Sequence, residues 1–352
     1  MKVLFLNNGY PTFFNPQYTT YANTIASCLR KAGYDVDLLV IRYNQRITLV
    51  YKLIKYVIYW LKALFINLKN YDFVYINHLP FVWPILINNG LKRKKVYIHW
   101  HGGELVSSSL FIRITLSFIR PKANRYKHIV PSFYFKQKLI DILNVPTELI
   151  CVSPSGGVDT DLFSPYDRFD GGNKFVIGFS GALITGKGAD VLLELMKIKN
   201  DIEQEINKKV VFKVINYGKE SNYYIPLFKK AIKELEIVDK MPKKNMPSFY
   251  NSISFLLFPS IGESLGLVVL EAMSCNRPVI TFDVCAFPEF IRSGISGELV
   301  VYSFDLRSRV EGMKKAITKI ANNYSVYSPR TVVEKEYSEK SVVEFYRELD
   351  GK

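Results

Sequence analysis

Short apolar runs that alternate with segments of helical periodicity are the feature that most constrains how this chain can fold. Such alternation is typical of parallel sheets whose strands are connected by crossover helices. The runs form two series, and residues 153–173 between them have the Gly-, Pro-, Ser- and Asp-rich composition of a linker. The pattern therefore predicts an α/β protein of two doubly wound domains facing across a cleft, with ligands at the carboxyl ends of the strands.

The length of the chain supports this division, because 352 residues exceed one typical domain. We predict a first domain over residues 1–170, a second over 171–330, and a C-terminal helix within 331–352 that could cross back to the first domain. The predicted strands are Val3–Leu6, Val36–Val40, Phe73–Ile76, Val96–His99, Ile129–Val130, Leu149–Val152, Phe175–Phe179, Val210–Val214, Phe255–Phe258 and Val279–Thr281.

The positive charge of the chain is concentrated in its first half. Up to Asp170 there are 21 Lys and Arg against 10 Asp and Glu, a net +11, whereas the remainder has 26 against 22, a net +4. A uniform solubility device would spread the charge evenly. The asymmetry instead predicts that one domain meets an anionic surface.

Cysteine usage and hydropathy predict a cytoplasmic protein. Cys28, Cys151, Cys275 and Cys285 show no C-x-x-C spacing and lie in apolar or helical settings, as expected of buried free thiols in a reducing compartment. No apolar run reaches the roughly 18 residues of a membrane-spanning helix. The opening KVLFLNN fits a buried strand better than the core of a signal peptide.

Two acids in the second series have seven residues between them in the run FPSIGESLGLVVLEAM. If Glu263 follows a strand and a helix begins at Leu267, Glu263 lies at the mouth of the turn and Glu271 about one helical turn inside. The amides of Leu265, Gly266 and Leu267 would then form a helix N-terminus, which favours an anion. Although isolated acid pairs more often belong to the surface or a helix cap, this arrangement predicts a receptor for phosphate and hydroxyl groups.

The run FPSIGESLGLVVLEAMSCNRPVI resembles the E-x7-E signature of retaining glycosyltransferases of the GT-B fold, the family 4 type. Further segments match in the same order: HWHGGEL, SPSGGVDTDLFSP, FSGALITGKGADVLL and the tail Val333–Leu349. Together they cover most of the chain beyond about residue 95. The resemblance implies a GT-B fold of two Rossmann-like domains and a nucleotide diphosphate sugar as donor.

The resemblance also implies roles for individual residues. Glu271 would hold the ribose hydroxyls, Glu263 a hydroxyl of the transferred sugar, and His101 would approach that sugar. Lys187 would reach the diphosphate as a point charge. Because the family generally places no enzymic carboxylate as nucleophile, catalysis would rest on positioning and on stabilising the leaving diphosphate. The remaining donor-binding residues would be Gly181, Leu265, Gly266, Leu267, Met241 and Lys243.

One position departs from the family pattern. Ala182 stands where family members usually carry an arginine that also holds the diphosphate. We expect either that neighbouring cations compensate for its loss or that donor binding relies more on Lys187 and the helix N-terminus.

No metal cofactor is expected. His99, His101 and Glu104 could contribute to a zinc site, but their spacing offers no fourth ligand. Asp159 and Asp161 form a D-x-D that lies in a connector, where Asp159 fits a turn residue. The other two histidines, His78 and His128, are predicted to be structural.

Residues 46–69 form a basic, aromatic, amphipathic segment, and no acid occurs between Leu38 and Tyr71. Such a helix can lie in a membrane interface, or it can bury its apolar face in a domain core and solvate its lysines. The charge of the first domain favours contact with an anionic membrane. The predicted membrane-contact residues are Lys52, Lys55, Trp60, Lys62 and Lys69.

These observations favour a retaining glycosyltransferase that extends a lipid-linked saccharide at the cytoplasmic face of a membrane. Such a protein would act in the synthesis of a surface polysaccharide, lipopolysaccharide or glycolipid. A GT-B nucleotide-sugar epimerase or related non-transferase enzyme is the alternative. A nucleic-acid-binding protein fits less well, because the basic residues concentrate on one helix rather than across a groove. Donor, acceptor and linkage depend on first-domain loops, where NNGYPTFFNPQYTTY replaces the family's glycine-rich loop.

Overall fold

Two six-stranded parallel sheets organise the computed structural model of the protein, which describes residues 1–15, 18–44, 48–166 and 174–349. Residues 1–156 and 339–352 form the first unit, and residues 157–338 form the second. Each sheet has its own helices on both faces, as the alternating sequence pattern predicted. None of the helices in these ranges combines the length and apolar character needed to span a bilayer.

In the first unit, the strands lie in the order β2-β1-β3-β4-β5-β6. Helices α2, α3 and α4 pack on one face, and α1 packs on the other. Three short 3-10 turns, Leu79–Phe81, Trp83–Ile87 and Asn89–Arg93, connect β3 to β4. The elements are β1 Lys2–Tyr10, α1 Thr20–Lys31, β2 Asp35–Arg42, α2 Leu49–Phe65, β3 Phe73–Asn77, β4 Lys95–His99, α3 Leu110–Ile119, β5 Lys127–Val130, α4 Phe133–Leu143 and β6 Ile150–Val152.

In the second unit, the strands lie in the order β12-β11-β10-β7-β8-β9. One face carries α5, α6, α7 and α11, and the other carries α8, α9 and α10. The elements are β7 Lys174–Phe179, α5 Ala189–Lys197, α6 Lys199–Ile206, β8 Lys209–Asn216, α7 Ser221–Ala231, β9 Leu235–Asp239, α8 Met246–Asn251, β10 Phe255–Leu257, α9 Leu267–Ser274, β11 Val279–Phe282, α10 Phe287–Phe290, β12 Gly297–Val300, α11 Leu306–Asn322 and α12 Arg330–Val332.

Helix α13, Glu339–Arg347, belongs to the first unit, where it packs beside α1. Two tyrosines of the sheet side donate to its backbone: the Tyr34 hydroxyl to Tyr346 O at 2.9 Å and the Tyr97 hydroxyl to Leu349 O at 2.7 Å. The Tyr346 hydroxyl lies 2.8 Å from that of Tyr75. Residues 339–349 therefore complete the core of the first unit.

The structure divides the chain earlier than the sequence pattern suggested. Residues 157–166, which we assigned to the first domain, lie in the second unit. The Val158 amide donates to Tyr337 O at 2.8 Å, and Phe163 is buried in the second unit's core. The predicted boundary at residues 170 and 171 falls among residues 167–173, outside the described ranges.

All ten predicted strands are present, but the second sheet contains two more, β9 and β12, which form its edges. The four cysteines are free thiols. Cys28 and Cys275 are buried as expected, whereas Cys151 and Cys285 are only partly buried.

Candidate active site

The strand order of the second unit reverses between β7 and β10, and the acidic block follows the second of these strands. In open parallel sheets, ligands bind beyond the carboxyl ends of strands at such a switch point. The loops after the two strands are joined, because the Ile261 amide donates to Gly186 O at 3.2 Å. Gly188 permits this approach: its φ is +81°, and a Cβ there would lie 2.5 Å from Pro259 O.

Lys187 and Glu263 form an ion pair across these two loops. The Lys187 ammonium also donates to Gly262 O at 2.7 Å, and the Ser260 hydroxyl lies 3.4 Å from the Glu263 carboxylate. Both charged side chains are about three-quarters or more buried, with 26% and 19% of their surface exposed. The pair therefore presents a fixed cation and a fixed hydrogen-bond acceptor at one point of the sheet edge.

Glu271 lies inside α9 and is buried, with 7% of its surface exposed. The Tyr250 hydroxyl donates to one carboxylate oxygen at 3.2 Å, and the Lys243 ammonium lies 3.3 Å from the other. Burial raises the pKa of Glu271, while Lys243 and the Tyr250 hydroxyl partly offset that rise. The carboxylate is thus a positioned acceptor for hydroxyl groups of a ligand.

Helix α9 begins at Leu267, as predicted, and Gly266 precedes it with φ +78°. A Cβ on Gly266 would lie 2.7 Å from the ring of Phe287, so the turn requires glycine. The first amides of a helix have no acceptor within it and carry its positive dipole end. The amides of Leu265, Gly266 and Leu267 therefore lie where an anion is favoured, beside the cation of Lys187.

The first unit has its own switch point, between β1 and β3, and a chain of polar side chains lies there. The Asn7 amide donates to Gly9 O at 2.6 Å, and the Asn77 amide donates to Asn7 Oδ1 at 2.9 Å. His101 Nε2 lies 2.8 Å from Asn77 Oδ1. Gly9 O can only accept, so the amide group of Asn7 faces it and Oδ1 of Asn7 faces Asn77. The amide group of Asn77 donates to that oxygen, which leaves Oδ1 of Asn77 to face His101. His101 must therefore donate from Nε2. Its Nδ1 then carries a lone pair that can accept a hydroxyl proton.

His101 is held among other rings, which keep it neutral. His99 stacks on it with ring centroids 4.7 Å apart, and the rings of His78 and Tyr21 lie at 6.0 and 4.6 Å. Burial, followed by the neighbouring His99 and His78, lowers the pKa of His101 well below its usual range. The histidine is therefore suited to accepting a hydrogen bond rather than to carrying charge at neutral pH.

Residues 167–328, most of the second unit, match the model of the family described as glycosyl transferases group 1. An uncharacterized glycosyltransferase of Methanocaldococcus jannaschii is 27% identical over 240 residues, a match that covers 68% of this chain. The same match covers 62% of that relative, so the chain spans less than two thirds of its length.

Solved structures resemble both units together. HepE from Anabaena, in complex with UDP and glucose, superposes with a TM-score of 0.69 at 17% identity, covering 100% of this chain and 99% of HepE. The apo form of WaaB, a lipopolysaccharide outer core galactosyltransferase, superposes with a TM-score of 0.72 at 13% identity and covers 100% and 99%. The fold is GT-B. The two Rossmann-like units predicted from the sequence are confirmed.

Within this GT-B protein, the predicted donor residues of the second unit lie around one switch point. Gly181 follows β7 and packs against Phe179 and Phe258. Met241 and Lys243 follow β9, and Met241 is partly buried against the core that includes Leu265. Lys187 and Lys243 are the cations that pair with the two acids, and no arginine replaces the one missing at Ala182 in these described contacts.

Three expectations for the GT-B first unit need correction. His99, considered with His101 as a possible ligand at the end of its strand, is fully buried, and its Nδ1 lies 2.7 Å from the Tyr75 hydroxyl. Lys69 lies beyond the end of α2 at Phe65, so it is not part of that helix. Trp60 packs inward, donating its indole N–H to Phe81 O at 3.0 Å.

The acids that were considered as metal ligands in the sequence, although no metal was expected, have other partners. The Glu104 carboxylate accepts the His101 amide at 2.8 Å, and Asp159 accepts the amides of Asp161 and Leu162 at 3.2 and 3.0 Å. Asp159 is thus a turn residue, as expected. His128 is a core residue between the Trp100 indole and Ala123 O.

Sequence reasoning missed several residues of the GT-B site. Asn7, Asn77 and Tyr250 carry no charge and match no motif, yet they orient His101 and Glu271. Tyr217, just beyond the end of β8, donates to Ser180 O at 2.9 Å and lies beneath Lys240 at 5.9 Å. A signal was present for the asparagines alone: each directly follows a predicted strand next to the switch point.

Proposed function

We propose that the protein is a retaining glycosyltransferase that moves a sugar from a nucleotide diphosphate donor to a saccharide acceptor. The observation that carries this proposal is the pairing at the second unit's switch point. There, Glu263 meets Lys187 and Glu271 meets Lys243 beside the N-terminus of α9. Fixed cations and helix amides suit a diphosphate, and carboxylates suit the hydroxyls of ribose and sugar.

In this mechanism, Lys187 and the amides of Leu265, Gly266 and Leu267 hold the diphosphate, and Glu271 accepts from the ribose hydroxyls. Glu263 accepts from a hydroxyl of the transferred sugar, and Nδ1 of His101 accepts from a sugar hydroxyl at the first unit's own switch point. The bond from the anomeric carbon to the diphosphate oxygen breaks. The acceptor oxygen bonds to that carbon on the same face, and its proton passes to the departing phosphate oxygen. Lys187 and the helix dipole stabilise the charge that develops there.

A thermal-shift series with UDP-, GDP- and ADP-sugars, followed by product analysis, tests this function. At least one donor should stabilise the protein, because binding to the native state alone raises its melting temperature. Glu271→Ala should weaken nucleotide binding by about ten- to a hundred-fold, the value of a charged hydrogen bond of about 1.5–3 kcal/mol. Glu263→Ala should lower turnover more than nucleotide affinity.

Glu194→Ala serves as the matched control, because this acid lies on the outer part of α5, paired with Lys197. If both site variants bind and turn over like the parent, the site is misassigned. A free epimerised nucleotide sugar as the only product would favour the alternative, a GT-B epimerase.

We further propose that turnover needs no divalent metal, since Lys187 and the α9 N-terminus supply the positive charge. Assay in excess EDTA should leave the rate unchanged. Complete loss that Mn²⁺ restores would contradict this and return Asp159 and Asp161 to consideration as ligands.

The acceptor in this proposal is a lipid-linked saccharide met at the cytoplasmic face of an anionic membrane, in surface polysaccharide or glycolipid synthesis. The net +11 of residues 1–170 and the lysines of α2 support it, since each lysine near such a surface contributes about 1 kcal/mol. Replacing Lys52, Lys55 and Lys62 with Gln should weaken binding to anionic vesicles. Unchanged binding by this variant would show that these lysines do not contribute.

A further inference from the structure

Helix α2 turns a row of large apolar residues away from the core. Its buried residues are Tyr56, Tyr59 and Ala63, and Tyr51 and Trp60 pack partly against the same core. At about 100° per residue, the opposite side of the helix carries a row spaced by three or four positions. The row is 52% to 79% exposed and consists of Val50, Ile54, Val57, Leu61 and Phe65.

Helix α3 repeats this arrangement. It buries Thr115, Leu116 and Ile119. Its exposed apolar residues again follow helical spacing: Leu110 is 69% exposed and Ile114 60%, with Phe111 and Phe118 at 37% and 38%. A soluble domain normally points charged residues outward from such helices, so two unpartnered apolar faces require a partner.

The helices that carry these two faces lie on the same side of the sheet, where an aromatic bridge joins them. The ring of Trp83 lies 6.5 Å from Trp60 of α2 and 5.5 Å from Phe118 of α3. Phe81 makes a second connection, 6.0 Å from Tyr56 and 5.3 Å from Phe111. We call the exposed apolar residues of α2 and α3 together the α2/α3 surface.

The charge around the α2/α3 surface is almost entirely positive. Residues 38–143, which include α2, α3 and α4, contain 17 Lys and Arg but only three acids, Asp72, Glu104 and Asp141, and Glu104 is buried. Lys122 lies over the ring of Phe118 at 4.7 Å, at the margin of the apolar face. A second copy of the chain would bring like charges together, whereas an anionic bilayer offers both opposite charge and an apolar layer.

We propose that the α2/α3 surface inserts its apolar residues into the interfacial layer of an anionic membrane, so that insertion, more than the α2 lysines, sets the affinity. Helix α3 is thereby assigned a role that charge patterning did not give it. The proposal rests on the proposed function only for the nature of the acceptor. Both helices begin at the carboxyl edge of the sheet, the edge that carries His101, so a lipid-linked saccharide held at this surface would be presented to that edge.

Sedimentation with phosphatidylcholine vesicles, with and without phosphatidylglycerol, tests the proposal. The variants are Ile54→Gln with Leu61→Gln in α2, and Leu110→Gln with Ile114→Gln in α3, since Gln preserves helix propensity. Each double variant should bind vesicles about a hundred-fold more weakly, roughly ten-fold per residue withdrawn from the apolar layer. Val301→Gln with Phe304→Gln is the matched control, because these residues are 77% and 93% exposed in the second unit. It should bind like the parent.

The salt dependence of vesicle binding distinguishes insertion of apolar residues from purely electrostatic attachment. At about 1 M salt the Debye length is about 3 Å, so a purely electrostatic attachment should disappear while inserted residues still bind. The parent should therefore retain measurable binding at high salt, and neither apolar double variant should. Complete release of the parent at high salt, or parent-like binding by the α3 variant, would overturn the proposal.

Two further measurements distinguish membrane insertion from self-association and from a failure of donor binding. Light scattering reports the oligomeric state: a parent dimer that binds no vesicles and dissociates in both apolar variants would overturn membrane insertion in favour of a second copy. Nucleotide-sugar binding is measured on every variant by thermal shift. Lost vesicle binding with intact donor binding supports the proposal, and a parent that binds vesicles but no donor contradicts the proposed function alone.

Discussion

The switch points of the two units present opposite chemistry at the same place in related folds. In the second unit the polar groups are charged and paired, Lys187 with Glu263 and Lys243 with Glu271. In the first unit they are neutral, a chain from Asn7 through Asn77 to His101. A charge acts through its field and tolerates small displacement, whereas a neutral acceptor acts only when it is correctly oriented. The first unit accordingly surrounds its histidine with fixed amides and stacked rings.

The two units should differ most strongly in how their stability changes at acidic pH. All four histidines lie in the first unit. Burial lowers the pKa of His99 to about 3 and that of His128 to about 4. Because the unfolded state binds protons near pH 6.5 and the folded state does not, stability is lost as the pH falls from about 6.5 towards these values. At pH 5 the two histidines together should destabilise the first unit by about 4 kcal/mol.

Hydrogen–deuterium exchange measured by peptide between pH 7 and pH 5 would check this. Peptides of the first unit should lose protection first. The second unit has no histidine, and the lowered pKa values of Glu203 and Glu205 make it lose stability only below about pH 4.5. Equal loss of protection in both units would contradict the prediction that the first unit is the more acid-sensitive of the two.

The next largest effect is expected at the charged switch point. Lys187→Ala should lower kcat/KM by about a hundred- to a thousand-fold, because one group that stabilises developing charge typically contributes about 2.7–4 kcal/mol. Lys197→Ala is the control, an exposed lysine on the helix that follows. A parent-like rate in Lys187→Ala would show that the α9 N-terminus alone holds the diphosphate.

The neutral switch point gives an intermediate effect with a distinct signature. Asn77→Asp places a carboxylate at His101 Nε2, which should raise the pKa of His101 and make the imidazolium accessible. Turnover should then fall by about ten- to a hundred-fold on the acidic side of a new titration near neutral pH, since charged His101 has no lone pair for a hydroxyl. The pH profile of kcat and the ¹⁵N shifts of the His101 ring would report it.

Asn88→Asp is the matched control for this change. Asn88 is also buried in the first unit, but its amide donates to Ala63 O and Ile66 O, away from any histidine. It should lose stability without a new titration. A parent-like profile for Asn77→Asp would mean that Asn77 does not orient His101.

The smallest effect is expected when a hydrogen bond that positions the Glu271 carboxylate is removed while the carboxylate itself is kept. Tyr250→Phe removes one neutral donor from Glu271 and should weaken nucleotide binding only a few-fold, about 0.5–1.5 kcal/mol. Tyr327→Phe removes a hydroxyl that donates to buried Glu298 at 2.6 Å in the same unit. Calorimetric titration should show no change in nucleotide affinity for that control. A hundred-fold loss in Tyr250→Phe would imply that the tyrosine contacts the nucleotide directly.

Sequence patterns predicted the central strands because their residues are buried on both faces and form continuous apolar runs. The two edge strands of the second sheet were not predicted in this way. β9 has only half-buried and exposed residues, and β12 contains Glu298, whose burial depends on partners elsewhere in the chain, Tyr327 and Lys319. Edge strands need less hydrophobicity, so their sequences resemble loops.

The sequence predicted those parts of the candidate site that consist of charged residues and glycine. Glu263, Gly266 and Glu271 lie close together in the chain, so local geometry interprets their spacing, whereas Lys187 was assigned through the family resemblance. Asn77 could not be paired with Asn7 in this way, because 70 residues separate them and only the sheet order brings them together. The outward face of α2 could not be predicted either, since an apolar row on a helix does not reveal which side of the helix packs on the sheet.

The return of α13 to the first unit has a consequence for synthesis on the ribosome. The contacts that Tyr75 and Tyr34 make with Tyr346, and that Tyr97 makes with Leu349, can form only once residues 339–349 have emerged. The second unit, by contrast, is continuous from residue 157 to residue 338 and is fully synthesised before that helix. Domains generally fold in the order of synthesis, N-terminal first. Here the order should be reversed: the later unit can reach its native state while the earlier one still waits for its final helix.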